Sequence, residues 1–166
     1  MRLVAVHGDI VGQEVDAIVN AANERMRGGG GVDGAIHRAA GPGLLQELIE
    51  RFPHGLPTGE AGWSSGHALP ARYVIHVVGP VYDGTGANRH LLESCYVNAL
   101  KVADQIGART VAFPLVSAGV YGWPKDDAIR CAIESLSTAT TEVEEARIVA
   151  FDAATYQLVS AALTAG

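Results

Sequence analysis

The chain has 166 residues, 48% of them hydrophobic and 18% charged, with a formal net charge of -6. That length suits one domain with a substantial core, and the composition excludes a disordered chain. The acidic balance disfavours a binder of extended nucleic-acid backbone, whose affinity comes from clustered Lys and Arg.

In chain order, Leu3 to Val6 and Val15 to Asn20 are short β-branched runs that predict buried strands. Asp33 to Ala40 reads as a short helix stopped by Gly41-Pro42, and Leu44-Leu45-x-x-Leu48-Ile49 has helical periodicity. Pro53 to Gly62 is a turn-rich connection, Trp63 to Ala68 a weaker extended segment, and Tyr73 to Val78 a core strand ended by Gly79-Pro80. Asn88 to Ile106 carries apolar residues at helical spacing, with Gly107 placed to cap its C-terminus. Thr110 to Val116 predicts a strand, Pro124 the first position of a helix to about Thr138, Ile148 to Phe151 the last strand, and Ala153 to Ala162 the last helix. Alternating strands and helices predict a three-layer α/β domain with a largely parallel sheet covered on both faces.

Cys95 and Cys131 lie far apart without metal-ligand spacing, so neither a zinc site nor a disulfide framework is indicated and a reducing cytoplasm is expected. Met1 to His7 is too short an apolar run for a secretory signal, and no stretch approaches the roughly 18 apolar residues of a membrane span.

The most informative stretch runs from Gly28 to His37, four consecutive glycines followed by Val32, Asp33 and an apolar segment. Glycines let backbone N–H groups approach a ligand closely, and a helix opening at about Val32-Asp33 adds unpaired N–H groups and partial positive charge. The combination predicts an anion cradle. Gly29-x-Gly31-x-x-Gly34 also fits the dinucleotide fingerprint, but that motif should follow a strand immediately, and the nearest strand ends near Asn20. Asp33 is a misfit in a simple cradle, because it sets a carboxylate beside the bound anion.

The ends of the predicted strands carry Gly8-Asp9-Ile10, Asn20-Ala21-Ala22-Asn23, the glycine run, Ser117-Ala118-Gly119-Val120-Tyr121-Gly122 and Phe151-Asp152. In open α/β sheets ligands bind at that edge. Each segment also has a structural reading: Asp9 and Asp152 as helix N-caps, Asn23 as a turn residue, Ser117 to Gly122 as a strand-to-helix turn. Ser117 lacks the Gly-x-Ser-x-Gly elbow, and the six histidines form no His-Glu-x-x-His motif. His76, inside an apolar strand, reads as a satisfied core or edge histidine, and His37 as a helix residue near the loop.

Taken together, Gly8-Asp9-Ile10, Val15 to Asn23, Gly28 to His37, Tyr73 to Pro80 and Phe113 to Gly122 resemble the macrodomain family, specifically its MacroD-type hydrolase branch, in order from about Leu3 to Tyr156. The resemblance implies a single macrodomain over residues 1–166, of α/β/α architecture, with a mixed, largely parallel sheet of six or seven strands. It implies an ADP-ribose site in which Asp9 accepts from the adenine amino group, with the Ile10 backbone nearby. Phe151 would pack on the adenine ring, unless it is simply a core strand terminus. Gly30, Gly31 and Val32, with Ser117, Ala118, Gly119, Val120 and Tyr121, would hold the two phosphates; Asn20 is also placed among the ligand-binding residues. Asn23 would bond the distal ribose, and Asp33 would hold or deprotonate a water between itself and the α-phosphate. Tyr121 and Trp123 would shape that side of the cleft or simply pack. Ala118 stands where a hydroxyl residue is frequent in the branch, a modest departure because that loop binds through its backbone.

No metal or cofactor is implied. The implied activity is hydrolysis of the ester between ADP-ribose and acidic protein side chains, or of O-acetyl-ADP-ribose. The partners would be those molecules and mono-ADP-ribosylated proteins, with no membrane and with nucleic acid only as an ADP-ribosylated substrate. The alternatives are a non-catalytic ADP-ribose reader and a hydrolase of ADP-ribosylated nucleic acid.

Overall fold

The computed structural model describes residues 1–165. Its strands are β1 (Arg2–His7), β2 (Ala17–Ala22), β3 (Ala61–Ser65), β4 (Tyr73–Val78), β5 (Thr110–Phe113) and β6 (Glu145–Ala150). Its helices are α1 (Gly31–Ala40), α2 (Pro42–Arg51), α3 (Arg89–Ile106), α4 (Lys125–Thr138) and α5 (Ala153–Ala165), with a single 3-10 turn at Ile10–Gly12. One six-stranded sheet has the order β1-β6-β5-β2-β4-β3. Every pairing is parallel except β3 with β4, so the sheet is mixed at one edge only. No helix among the described residues is long and apolar enough to cross a membrane.

Strand alternation divides the core into two faces. Ile18, Ala22, Val74 and Val78 point to a layer with Ile36, Ala40, Leu44 and Leu48 of α1 and α2. Ala17, Val19, Ile75, Val77, Val111 and Phe113 point to the other, covered by α3, α4 and Val159 of α5. These are the three layers expected from the alternation of strands and helices.

Local chemistry explains where elements stop. Gly41, at φ +87, ends α1 and precedes Pro42, which occupies the first turn of α2. Gly107 closes α3 in the left-handed conformation, its N–H returning to Ala103 and Asp104. β5 is shorter than expected, since Pro114 has no N–H to continue the ladder. Pro124 is the N-cap of α4 rather than its first residue, with Asp126 and Asp127 in the first turn, where the helix dipole favours them. The extended segment near Trp63 starts earlier, at Ala61, and turns away after Ser65 with His67 at φ +53. β6 begins three residues before the expected Ile148, because Glu145 to Arg147 already pair with both neighbouring strands. β1 is only half-buried instead of buried, as it forms the far edge of the sheet.

The core also sets the loop after β5. The buried Tyr96 hydroxyl accepts from the Val116 N–H at 3.0 Å and packs its ring on Phe113. Tyr96→Phe leaves that N–H buried and unpaired, and an unfolding stability lower by about 1–3 kcal/mol is expected in urea titrations. An unchanged midpoint would contradict this anchoring role.

Candidate active site

A cleft of about 400 Å³ opens at the C-terminal edge of the sheet. Its walls come from the end of β2 and Asn23, from Gly29 to Asp33, from Pro114 to Tyr121, and from Val149 to Asp152, with Lys125 and Thr155 beside them. The glycine run, the second loop and Phe151 are therefore brought together as expected.

The glycine run leads into α1 at Gly31, two residues earlier than the Asp33 start expected for the helix. Gly30 is the N-cap and has no side chain to satisfy the first N–H groups. Gly31 has φ +58, a backbone state that would strain other residues. Gly34 permits a close approach: a Cβ there would stand 2.6 Å from the Gly29 carbonyl. The open N–H groups at the start of α1 thus face the cleft with the positive end of the helix dipole behind them.

Asp33 lies in the first turn of α1 and is 5% exposed. Its Oδ1 accepts from Asn20 Nδ2 at 2.8 Å, and His37 Nε2 lies 3.4 Å from the same oxygen. Its Oδ2 faces Gly29, where a Cβ would stand 3.4 Å from that oxygen and 3.3 Å from Asn23 Nδ2. Asp33 Oδ2 and the Asn23 amide therefore converge on one point of the loop. Asn23 is also the turn residue of the structural reading, with Oδ1 accepting from Arg25 and Met26 N–H and Nδ2 donating to the Gly28 carbonyl.

Asn20 requires a correction. It is fully buried and lies behind Asp33, outside the cleft wall, because it is an interior residue of the central strand β2. Its Nδ2 touches Asp33 and, at 3.1 Å, His76 Nδ1. Its place is beneath the cleft floor.

The second loop is pinned at both ends. Ser117 adopts φ +65, its hydroxyl is buried without a protein partner among the described residues, and its carbonyl accepts from Trp123 N–H. Trp123 is buried, packs edge-on against Tyr82 and donates from Nε1 to Asp127 at 3.0 Å. Of the two aromatics, Trp123 packs and Tyr121 lines the cleft. Between the anchors Val120 is 93% exposed at the rim.

At the opposite end Phe151 is 80% exposed, which removes its reading as a core strand terminus. Asp9 caps the 3-10 turn by accepting from Val11 N–H, and Ile10 packs into the core. Neither is part of the cleft wall, yet Gly8 N–H donates to the Ala150 carbonyl and so ties their loop to the strand end before Phe151.

Two cleft residues, Lys125 and Thr155, escaped the sequence reading as functional candidates, and both bear on Asp152. Lys125 Nζ donates to Thr155 Oγ1, which donates to Asp152 Oδ2, while Asp152 Oδ1 caps α5 through Thr155 N–H. Hydrogen bonds from the Thr155 backbone and hydroxyl hold the Asp152 carboxyl below its ordinary range. Asp152-x-x-Thr155 was a visible capping signal, whereas Lys125 arrives from another helix.

Burial pushes the thiols of Cys95 and Cys131 up to about 12 and about 11, away from the thiolate form that nucleophilic attack uses. Among the described residues no group of three or more His, Cys, Asp or Glu could hold a metal ion.

Burial also holds the His76 imidazole down to about 3, from an ordinary 6.5, with Asp33 opposing the shift and His37 adding to it. Between those values the unfolded chain binds a proton that the folded chain refuses. His76 thus lets stability stay full above about pH 6.5 and withdraws it as pH falls toward 3. Between about pH 7 and pH 4.5 the wild type is expected to lose on the order of 2 kcal/mol more than His76→Asn, which has no imidazole to charge. Equal losses in urea titrations at the two pH values would contradict this.

A doubly covered α/β sheet with a glycine-lined helix N-terminus and a buried carboxylate at its C-terminal edge defines a class of ligand-binding domains. Within that class the chain belongs to the Macro domain family, whose model matches residues 19–132. It is 53% identical over 165 residues to a macro domain-containing protein of Streptomyces coelicolor, covering 97% of this chain and 98% of that one. Among solved structures it is similar to the Oceanobacillus iheyensis macrodomain with ADP, at TM-score 0.87 and 38% identity over 97% of this chain and 89% of that one. A Trypanosoma brucei macrodomain in complex with ADP-ribose matches at TM-score 0.88 and 38% identity, over 98% and 69% of the two chains.

Proposed function

We propose that this chain binds ADP-ribose and hydrolyses an ester carried on its distal ribose. The reading rests above all on Asp33, a buried carboxylate at a helix N-terminus, held by Asn20 on one oxygen and turned by the other toward Gly29 and Asn23. Complexes of two relatives with ADP and ADP-ribose support the choice of ligand.

In this reading the adenine lies between exposed Phe151, whose ring face supplies apolar contact, and the Asp9 loop. The diphosphate lies between the N–H groups of Gly30 to Val32 and those of Ser117 to Tyr121. The distal ribose then reaches Asn23 and Asp33. Asp33 holds a water against the α-phosphate, and the water's hydroxyl adds to the ester while its proton passes to the carboxylate. The ester C–O bond breaks, and the proton returns to the sugar oxygen, leaving ADP-ribose and a free carboxylic acid. General-base help of this type is worth about 10²–10⁴-fold. The substrates proposed are O-acetyl-ADP-ribose and mono-ADP-ribosyl esters of acidic protein side chains.

Two measurements on the wild type test this: calorimetric titration with ADP-ribose, and release of acetate from O-acetyl-ADP-ribose. Binding with turnover is expected. Binding without turnover of this or a protein-linked ester would make the domain a reader, and no binding would remove the ligand assignment altogether.

A further inference from the structure

We propose that His76 is a positioning residue for Asp33, acting through Asn20 and locked in one tautomer by Ser64; this rests on the hydrolase reading above. The register puts these groups in line. Asn20 of β2 stands directly opposite His76 of β4, and His76 stands opposite Gly62 of β3, so Ser64, two residues on, shares their face. All three side chains are fully buried beneath α1 and α2.

The direction of every hydrogen bond in the chain is fixed by the carboxylate at its end. Asp33 Oδ1 only accepts, so Asn20 must turn Nδ2 toward it, at 2.8 Å. The second proton of that NH₂ then points to His76 Nδ1 at 3.1 Å, which must be the bare, accepting nitrogen. The imidazole proton therefore sits on Nε2 and is donated to Ser64 Oγ at 2.8 Å. Ser64 passes its own proton to the Ser65 carbonyl at 3.3 Å. An unbroken polar line runs from the cleft across three strands to the backbone of the sheet's edge. Burial keeps His76 neutral, as this line requires, since an imidazolium would aim Nδ1–H at the Asn20 donor.

This line crosses a face otherwise filled by Ile18, Val74, Ile36 and Leu44. Apolar side chains at positions 64 and 76 would fill that layer without buried polar atoms to satisfy. What the polar line supplies is one orientation for the Asn20 amide, and hence for Asp33. With no acceptor at position 76, Asn20 keeps one buried N–H unpaired and is held by Asp33 alone.

The test combines ring spectroscopy with kinetics. Long-range ¹H–¹⁵N correlation of the imidazoles is expected to show His76 neutral with its proton on Nε2 between about pH 5 and pH 8. A proton on Nδ1, or an imidazolium, would overturn the proposal whether or not the protein proves to be a hydrolase. In ester hydrolysis His76→Leu should lose roughly 10- to 100-fold in kcat, with the Kd for ADP-ribose within about threefold of wild type. His76→Asn, which can offer an amide oxygen near the place of Nδ1, should recover most of the loss. Wild-type kcat in the leucine variant, or equal losses in both, would overturn the proposal while leaving the hydrolase reading intact. If His76→Leu does not fold, Ser64→Ala keeps the imidazole and takes its place. That variant should shift the ring ¹⁵N signals and lower kcat several-fold, and no change in either would contradict the role. A wild type that hydrolyses no ester would defeat the function reading instead.

Discussion

Asp33→Ala is expected to lower ester turnover by about 10²–10⁴-fold, the range of general-base assistance, while leaving ADP-ribose affinity equal or tighter. The asymmetry follows from where the carboxylate sits. Asp33 stands behind Gly29 and beside the open N–H groups of α1, so a bound diphosphate would meet those N–H groups on the backbone and the carboxylate only through a water. Removing a negative charge from the neighbourhood of an anion favours its binding. The partners left behind are the Asn20 amide, which keeps His76, and His37. The variant should therefore fold, and its losses should lie in kcat. Steady-state kinetics beside calorimetry checks this. Affinity lost together with wild-type turnover would place Asp33 in ligand binding and remove it from the reaction.

Asp9→Ala is expected to weaken ADP-ribose by about 1–3 kcal/mol, or roughly 5- to 150-fold in Kd, the usual worth of a hydrogen bond to a charged group. The structure adds a reason for care in the choice of variant. Asp9 Oδ1 already caps the 3-10 turn through Val11 N–H, so alanine removes a cap as well as the proposed ligand contact. Asp9→Asn separates the two, because its amide oxygen retains the cap while its NH₂ group replaces an acceptor by a donor at the adenine edge. Both variants should weaken binding if the contact is made. Loss in the alanine variant alone would assign the effect to the turn, and wild-type affinity in both would remove Asp9 from the site.

The elements whose signals are local were the ones legible in the sequence. α3 announced itself by apolar residues at helical spacing and by Gly107, and β4 by its β-branched run before Gly79-Pro80. The glycine run made the expected anion cradle legible, because such a cradle depends on having no side chains. What sequence reasoning missed depends on register. The antiparallel edge position of β3, expected only as a weaker extended segment, and the half-burial of β1 follow from strand order, which no local pattern encodes. Asn20, which the family resemblance places among the ligand-binding residues, is turned by strand alternation under Asp33 and toward His76. Ser64 and Lys125 had no sequence signal tying them to the site, and Thr155 had only its capping spacing from Asp152. Ser64 meets His76 from the neighbouring strand, and Lys125 meets Thr155 from another helix. Phe151 shows the reverse case, an aromatic beside a core strand that the chain direction leaves at the rim.

The most direct test of the proposed reaction uses an acceptor protein auto-modified with mono-ADP-ribose on acidic residues. It is incubated with the wild type and with Asp33→Ala, and released ADP-ribose is followed over time. Release by the wild type, with the variant slower by about two orders of magnitude or more, is the predicted result. A wild type that binds ADP-ribose but releases none from this acceptor or from O-acetyl-ADP-ribose, or a variant as fast as the wild type, would contradict it.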